Sequence, residues 1–334
     1  MKSLHRILLT AAGLAVLSAG AASAEPVKLR ISWAVAPAHM TPLLPEAPKE
    51  IYKHYGKSYT IEAIRIAGSG PALQALAAGE TELAGMSAQS LVHGVARANI
   101  NLQAVAQVMS SGVEGHTSSD FYVRKGEIKK LEDLKGKVVA VNALGSTIDA
   151  AVQAQLAKVG FVPGKDYQVV EVNFNNTLAA LESKKIDLGV MVQPQNLVAN
   201  RKGTVEVLFT MNDALGPTET LNWIGKDEWM KKNKAVVVDF LEDNLRFRKW
   251  LLDPKNRKEA VALVSKVTKI PAADYEEWLF TKEDNYRDPM ARPHAERLQK
   301  NINDLHKLKI VEDMIDVKKH VDTSYVDEAA KRLK

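Results

Sequence analysis

From Val27 onward the sequence switches repeatedly between a two-residue and a 3.6-residue apolar period, and this restricts the chain to an α/β architecture. Val27-Lys28-Leu29-Arg30-Ile31 alternates apolar and polar side chains and predicts a strand. Tyr59 to Ile66, rich in β-branched residues, predicts a second. It runs into Gly68-Ser69-Gly70, and Pro71 to Leu76 opens a helix. Proline costs little in a first turn, because the N–H it lacks would have no intrahelical partner. Glu82 to Met86 is expected to be a short strand, and Ser90 to Arg97 the helix after it. The same grammar restarts after Ser110. Strands are predicted at Phe121 to Val123, Lys137 to Asn142, Val169 to Val172, Leu188 to Val192 and Val205 to Phe209. Helices are predicted at Ile148 to Val159, after a Gly145-Ser146-Thr147 turn, and at Thr177 to Ser183. Beyond Ala235 the pattern becomes helical, over Val236 to Leu252, Arg257 to Val267, Ala273 to Phe280 and His294 to Leu308. Strand–helix–strand alternation of this kind implies parallel sheets with helices on both faces.

The first 24 residues are of another kind. Lys2 and Arg6 precede the short apolar stretch Ile7 to Val16, and Ala22-Ser23-Ala24 follows, the pattern of a cleavable secretory signal. The apolar run is shorter than the roughly 20 residues of a membrane-spanning helix. The mature chain is expected to begin near Glu25. None of the 334 residues is cysteine, so no lipid can be attached at the cleavage point, and a freely diffusing periplasmic protein is expected. The same absence removes disulfides, thiolate metal sites and a cysteine nucleophile, leaving the apolar core to hold the fold. With 46% hydrophobic residues the chain can build one. Without the leader the balance is 43 basic to 40 acidic residues, scattered and not interleaved with aromatics, so nucleic acid is not an expected partner.

Four segments in one order carry a resemblance. Leu131-Glu132-Asp133-Leu134-Lys135-Gly136-Lys137-Val138-Val139-Ala140-Val141 matches a stretch common in periplasmic substrate-binding proteins. Gly68-Ser69-Gly70 with Ala75 to Glu80, Gly145-Ser146, and Ala179 to Leu188 followed by Gln193-Pro194 resemble the nitrate/sulfonate/taurine type within that family. The resemblance runs from about Leu29 to Phe209. It implies a two-lobed Venus-flytrap fold, each lobe a sheet flanked by helices, with a helix-rich C-terminal tail. It also implies the solute-binding component of an ABC importer, which takes a small-molecule anion in the inter-lobe cleft and docks on permease subunits at the inner membrane. A monomer with no cofactor and no metal is expected. In such proteins the chain crosses twice between lobes. The crossings are placed near Met109-Ser110-Ser111 and Thr210-Met211-Asn212, giving a signal peptide over 1–24, a discontinuous first lobe over 25–108 and 212–334, and a second lobe over 109–211.

The chemistry of the strand ends leads to the same cleft. In open α/β sheets ligands bind beyond the carboxyl ends of the strands, where helices begin. Gly68-Ser69-Gly70 and Gly145-Ser146-Thr147 stand at such points, one per lobe. Helix N-termini offer unpaired N–H groups and partial positive charge, which suit an oxyanion, and the hydroxyls of Ser69, Ser146 and Thr147 add donors. The plainer alternative makes both turns ordinary N-caps. Trp33, after the first strand, is a candidate wall for a ligand's apolar body, against a place in the core. His39, and the His116-Thr117-Ser118 cluster past the first crossing, are candidate donors, against simple solvated loop residues. Ser87 and Gln89 follow the third strand. Gln193 and Asn196 stand where the family offers second-lobe side chains, and Asn222-Trp223 follows the return crossing. Several relatives have a charged residue where Gln193 stands. Its neutral amide favours a sulfonate, carboxylate or aromatic acid over an ammonium-bearing ligand such as taurine.

Two other classes compete with this reading. Enzymes on this fold, the fungal thiamine-pyrimidine synthases, depend on a cysteine-rich motif that this chain lacks. No G-x-S-x-G elbow or HExxH pattern occurs, and Asp284, Asp288 and His294 read as a capped turn. A binding protein serving a receptor kinase instead of a permease would share every feature above.

Overall fold

The computed structural model describes residues 25–333; the segment read as a signal peptide lies outside them. Up to Arg97 the chain follows the predicted alternation. β1 (Val27–Trp33) buries Leu29 and Ile31 and turns Lys28 outward. β2 (Tyr59–Arg65) pairs with it in parallel along its full length. α1 (Ser69–Ala78), β3 (Leu83–Met86) and α2 (Ala88–Val92) follow, and α2 runs on into a π-helical turn, His93–Arg97. β4 (Leu102–Ser111) then carries the chain towards a second sheet.

That sheet is built from β5 (Asp120–Arg124), β6 (Val138–Val141), α3 (Thr147–Ala157), β7 (Gln168–Glu171), α4 (Thr177–Glu182), β8 (Leu188–Met191), α5 (Gln195–Lys202) and β9 (Val205–Thr210). A short α6 (Met211–Leu215) leads back into β10 (Thr218–Lys226), which rejoins the first sheet. The tail is helical: α7 (Asp227–Lys232), α8 (Lys234–Leu252), α9 (Arg257–Thr268), α10 (Ala295–Lys307) and α11 (Ser324–Lys331).

The strand orders are β2-β1-β3-β10-β4 and β7-β6-β8-β5-β9. Neither sheet is purely parallel, contrary to the sequence expectation. β10 is antiparallel to β3 and β4, and β5 is antiparallel to β8 and β9. Each antiparallel strand is the one that enters directly after a crossing. β10 escaped the periodicity because it is buried along nearly all its length and still carries Thr218, Glu219, Thr220 and Asn222. Three of these polar groups are paired inside: Glu219 accepts from Ser110 Oγ at 2.8 Å and lies 3.1 Å from the Arg297 guanidinium, Thr220 Oγ1 donates to Ser111 Oγ at 2.9 Å, and Thr218 Oγ1 donates to the Gly216 carbonyl at 2.8 Å.

A second departure lies at Ala273 to Phe280. The apolar residues of this stretch, Tyr275, Trp278 and Leu279, are buried as expected, but the backbone is a short 3-10 turn followed by irregular turns, not an α-helix. Its carbonyls at Glu276 and Leu279 are taken by the Arg257 guanidinium, and the Phe280 N–H donates to Asp284 at 3.0 Å with Phe280 at φ 57°. The neighbouring acidic residues form a capped turn as read. Asp284 pairs with Arg287 at 2.8 Å, Asp288 accepts from Met290 N, and His294 caps α10 through Nδ1.

Four buried apolar clusters hold the molecule, two at each sheet. Under the first sheet Trp223 and Tyr59 pack on Phe240 of α8, and under the second Phe121 stacks on Phe209 with ring centroids 4.4 Å apart. Fully buried aromatics of this size each remove large apolar areas from water, and they fix the sheets on which the cleft is built.

Candidate functional site

α1 begins where β2 ends and α3 begins where β6 ends, so two helix N-termini from different sheets point into one space between the sheets. Ser146 caps α3, accepting from Asp149 N at 3.2 Å, and its hydroxyl donates to Asn142 Oδ1 at 2.9 Å. Ser69, at the start of α1, accepts from Ser87 N at 3.1 Å. The N-cap expectation therefore describes the α3 turn only, since Gly68 stands at the N-cap of α1 with no side-chain cap, whereas both turns face the cavity. The space encloses about 630 Å³, part of it open to solvent. Trp33, His39, Gly68, Ser69, Ser146 and Thr147 of the sequence-derived candidates line it. Between them stand apolar side chains from both sheets, among them Ile66, Ile148, Phe174 and Leu221.

No Asp, Glu, Lys or Arg lines this cavity among the described residues. His39 is buried, and burial pushes its imidazole down to about 4, helped by the positive charge of Arg287. At neutral pH the ring is uncharged, with one nitrogen a donor and the other an acceptor. It lies over β3, where a Cβ at Gly85 would come 3.3 Å from the ring. The Trp33 indole N–H is buried without a hydrogen-bond partner, and the Arg65 guanidinium sits 5.7 Å from the centre of its ring. Unpaired buried donors are rare in native proteins, because each forfeits its bond to water. The cavity thus offers neutral donors, two helix N-termini and apolar walls.

The other candidates lie elsewhere. Gly70 and Gly145 stand in the contact between the two turns. Ser87 caps α2, accepting from Ser90 N, and donates to the Gly145 carbonyl at 3.1 Å. Gln89 is buried beside Thr147 and Glu219 in a separate small cavity, its Oε1 unpartnered. His116 Nδ1 lies 2.9 Å from the Asp284 carbonyl and its ring meets Tyr286 edge-on. Thr117 and Gln193 line a polar side pocket with Ser118, Asn196 and Asn285, and Gln193 Nε2 donates to the Glu283 carbonyl at 2.6 Å. That pocket shares Ser119, Val192 and Asn285 with the main cavity. Asn222 is buried in β10 with Oδ1 unpartnered.

Sequence reasoning missed Asn142, Ser119, Thr220 and Asn285, all in the cavity wall. Asn142 had a signal, since it ends β6 just before the turn into α3. Thr220 and Asn285 had none, because they come from the returning chain and the irregular tail. Among the described residues no group of three or more His, Cys, Asp or Glu is placed to hold a metal ion, and no helix is long and apolar enough to cross a membrane.

Two mixed sheets flanked by helices, with a cleft between them and a helix-rich C-terminal segment, define the periplasmic binding protein fold. Residues 47–255 match the family described as "NMT1/THI5 like", and the chain belongs to that family. The fold is shared with the alkanesulfonate-binding protein SsuA from Xanthomonas axonopodis pv. citri bound to MOPS, at 16% identity and TM-score 0.66, over 90% of this chain and 99% of that one. It is shared with the periplasmic nitrate-binding protein NrtA from Synechocystis PCC 6803, at 16% identity and TM-score 0.71, over 93% and 90%. A desulfurization enzyme, DszB, has it too, at 12% identity and TM-score 0.61, over 92% and 100%. Identities this low speak for the fold alone. No curated protein sequence matches the chain.

Proposed function

We propose that this chain is the periplasmic solute-binding component of an ABC importer, carrying a small acid with an apolar or aromatic body to a permease at the inner membrane. The observation that supports this most is the meeting of two helix N-termini from different sheets at one cavity lined by uncharged side chains. Helix N-termini stabilise a single negative charge, and the apolar walls suit a hydrocarbon body. A doubly charged ligand fits less well, because the cavity wall holds no countercharge for it. The ammonium group of taurine would meet no carboxylate there, which favours sulfonates and carboxylates without a cation. The lobes are taken as 25–108 with 212–334, and 109–211. The leader read at 1–24 would deliver the chain to the periplasm free of any lipid anchor.

The test is a thermal-shift and calorimetric screen of the chain from residue 25 against alkyl and aryl sulfonates, carboxylates, nitrate and taurine. A ligand that binds only the folded state raises the unfolding temperature by mass action. Binding of simple acids with none of taurine is the expected result. A flat response to every acid, or tight binding of taurine alone, overturns the reading. Chemical conversion of a bound acid by the purified protein would move it to the enzyme class. Deletion is expected to abolish uptake of the acid, whereas unchanged uptake with a lost transcriptional response would point to a receptor partner.

A further inference from the structure

The turns that open α1 and α3 touch each other. A Cβ built on Gly70 would fall 2.3 Å from the Leu144 carbonyl oxygen, and one on Gly68 would fall 2.6 Å from the Ala143 Cβ. Neither glycine is in the left-handed region; Gly68 is extended at φ 175°. Backbone conformation therefore does not call for glycine at either position, and alanine at Gly70 would favour the helix. Close approach across the cleft is what excludes a side chain. Gly145 is different, since its φ of 72° favours glycine by itself. Around this contact the Ser87 and Ser90 hydroxyls both donate to the Gly145 carbonyl, at 3.1 and 2.9 Å. Asn142 Nδ2 donates to the Ala67 carbonyl at 2.9 Å, and Thr147 Oγ1 to the Thr220 carbonyl at 3.0 Å. Each of these four bonds joins a group near the second sheet to one of the first, protein to protein.

We propose that this glycine seam is a closure latch. Gly68 and Gly70 let the helix ends of the two lobes close on each other by direct backbone contact, so the closed form is populated before a ligand bridges the lobes. The seam then sets affinity together with the ligand's own contacts, since apparent affinity scales with the fraction of protein in the competent form. This rests on reading the cleft as the ligand site, but the latch itself can be measured without a ligand.

The absence of cysteine allows clean spin labelling at Lys57→Cys and Lys165→Cys. Both positions are exposed, and they lie just before the edge strands β2 and β7, at the ends remote from the cleft. Pulsed electron double resonance on the ligand-free protein is expected to show a population at the distance of the closed structure. Gly70→Ala is expected to shift it to longer distances, and Ser90→Ala, which adds no atom, to shift it less in the same direction. Ser90→Ala also supplies the reading should Gly70→Ala fail to fold, which urea denaturation reports. Gly79→Ala, at the other end of α1 with φ 75° and open space around it, strains the backbone without obstructing the seam and is expected to leave the distances unchanged. A wild type found only at long distances, variants indistinguishable from it, or an equal shift in Gly79→Ala would each overturn the latch. For an acid found in the screen, Gly70→Ala should weaken binding by about tenfold or more if the closed fraction falls correspondingly. A screen that yields no ligand sinks the functional reading while the distances still decide the latch.

Discussion

His39 shows how one buried side chain ties the site to stability. Its imidazole is held down to about 4, against an ordinary value of 6.5, because burial penalises the charged ring and Arg287 adds to the effect. Between those two values the unfolded chain binds a proton that the folded chain refuses. The stability His39 contributes is therefore complete above pH 6.5 and is lost as the pH falls towards about 4, by on the order of 3 kcal/mol in all. Urea titrations at pH 7.0 and pH 4.5 should show this loss, and His39→Gln should flatten most of it; an equal loss in the variant would assign the effect elsewhere. Trp33 makes a complementary case. Its indole N–H has no partner in the protein, so Trp33→Phe removes an unsatisfied donor and should leave the melting temperature within a degree or two. If a bound acid accepts from that N–H, its affinity should drop about threefold to tenfold, the worth of one hydrogen bond. A fall in stability with unchanged affinity would make Trp33 a core residue only. Both side chains could be named from the sequence, since Trp33 ends the first strand and His39 lies in the loop after it. Their protonation and lack of partners could not, because these depend on what the rest of the chain packs around them.

Elements were legible where one face was buried and one exposed. β1, β2, α8 and α10 lie close to the predicted segments because alternation and helical spacing record such faces directly. β4 and β10 were missed, being buried on both faces and partly polar, and the hydroxyls and carboxylate of β10 read as loop. The stretch from Ala273 to Phe280 was read as helix because apolar spacing does not register competition for carbonyls by a distant arginine. Long-range polar ties of this kind carry much of the architecture. Asp243 on α8 accepts from the backbone N–H groups of Lys53, His54 and Tyr55 and from the Tyr59 hydroxyl, at 2.8 to 3.0 Å. It thereby pins the segment before β2 to the helix that covers the first sheet. Asp243→Ala leaves four donors without an acceptor and should cost about 3 kcal/mol or more in chemical denaturation. Asp243→Asn, which keeps one acceptor oxygen, should cost less. Equal stabilities of the two variants would show that the carboxylate is not what holds this segment.

At the scale of the whole molecule the chain leaves the first sheet, builds the second, and returns to complete the first. The second sheet is drawn entirely from residues 120–210, whereas the first needs β10 between β3 and β4. A chain ending at residue 217 keeps every strand of the second sheet and leaves a gap in the first. Hydrogen exchange followed by mass spectrometry should find protection retained over β5 to β9 and lost over β1 to β4. Protection of β1 to β4 in the shortened chain would mean that β10 is not required to hold that sheet. By itself the sequence determined the α/β grammar, the two turns that open α1 and α3, and six of the residues that line the cavity. Those properties depend on local period and on what a glycine or serine does at a helix start. Only the tertiary structure decided that the returning chain completes the first sheet, that Thr220 and Asn285 reach the cavity, and that Gly70 and Gly145 meet each other across the cleft. Such contacts join residues far apart along the chain, and no period or spacing within a segment encodes which distant backbone will arrive beside it.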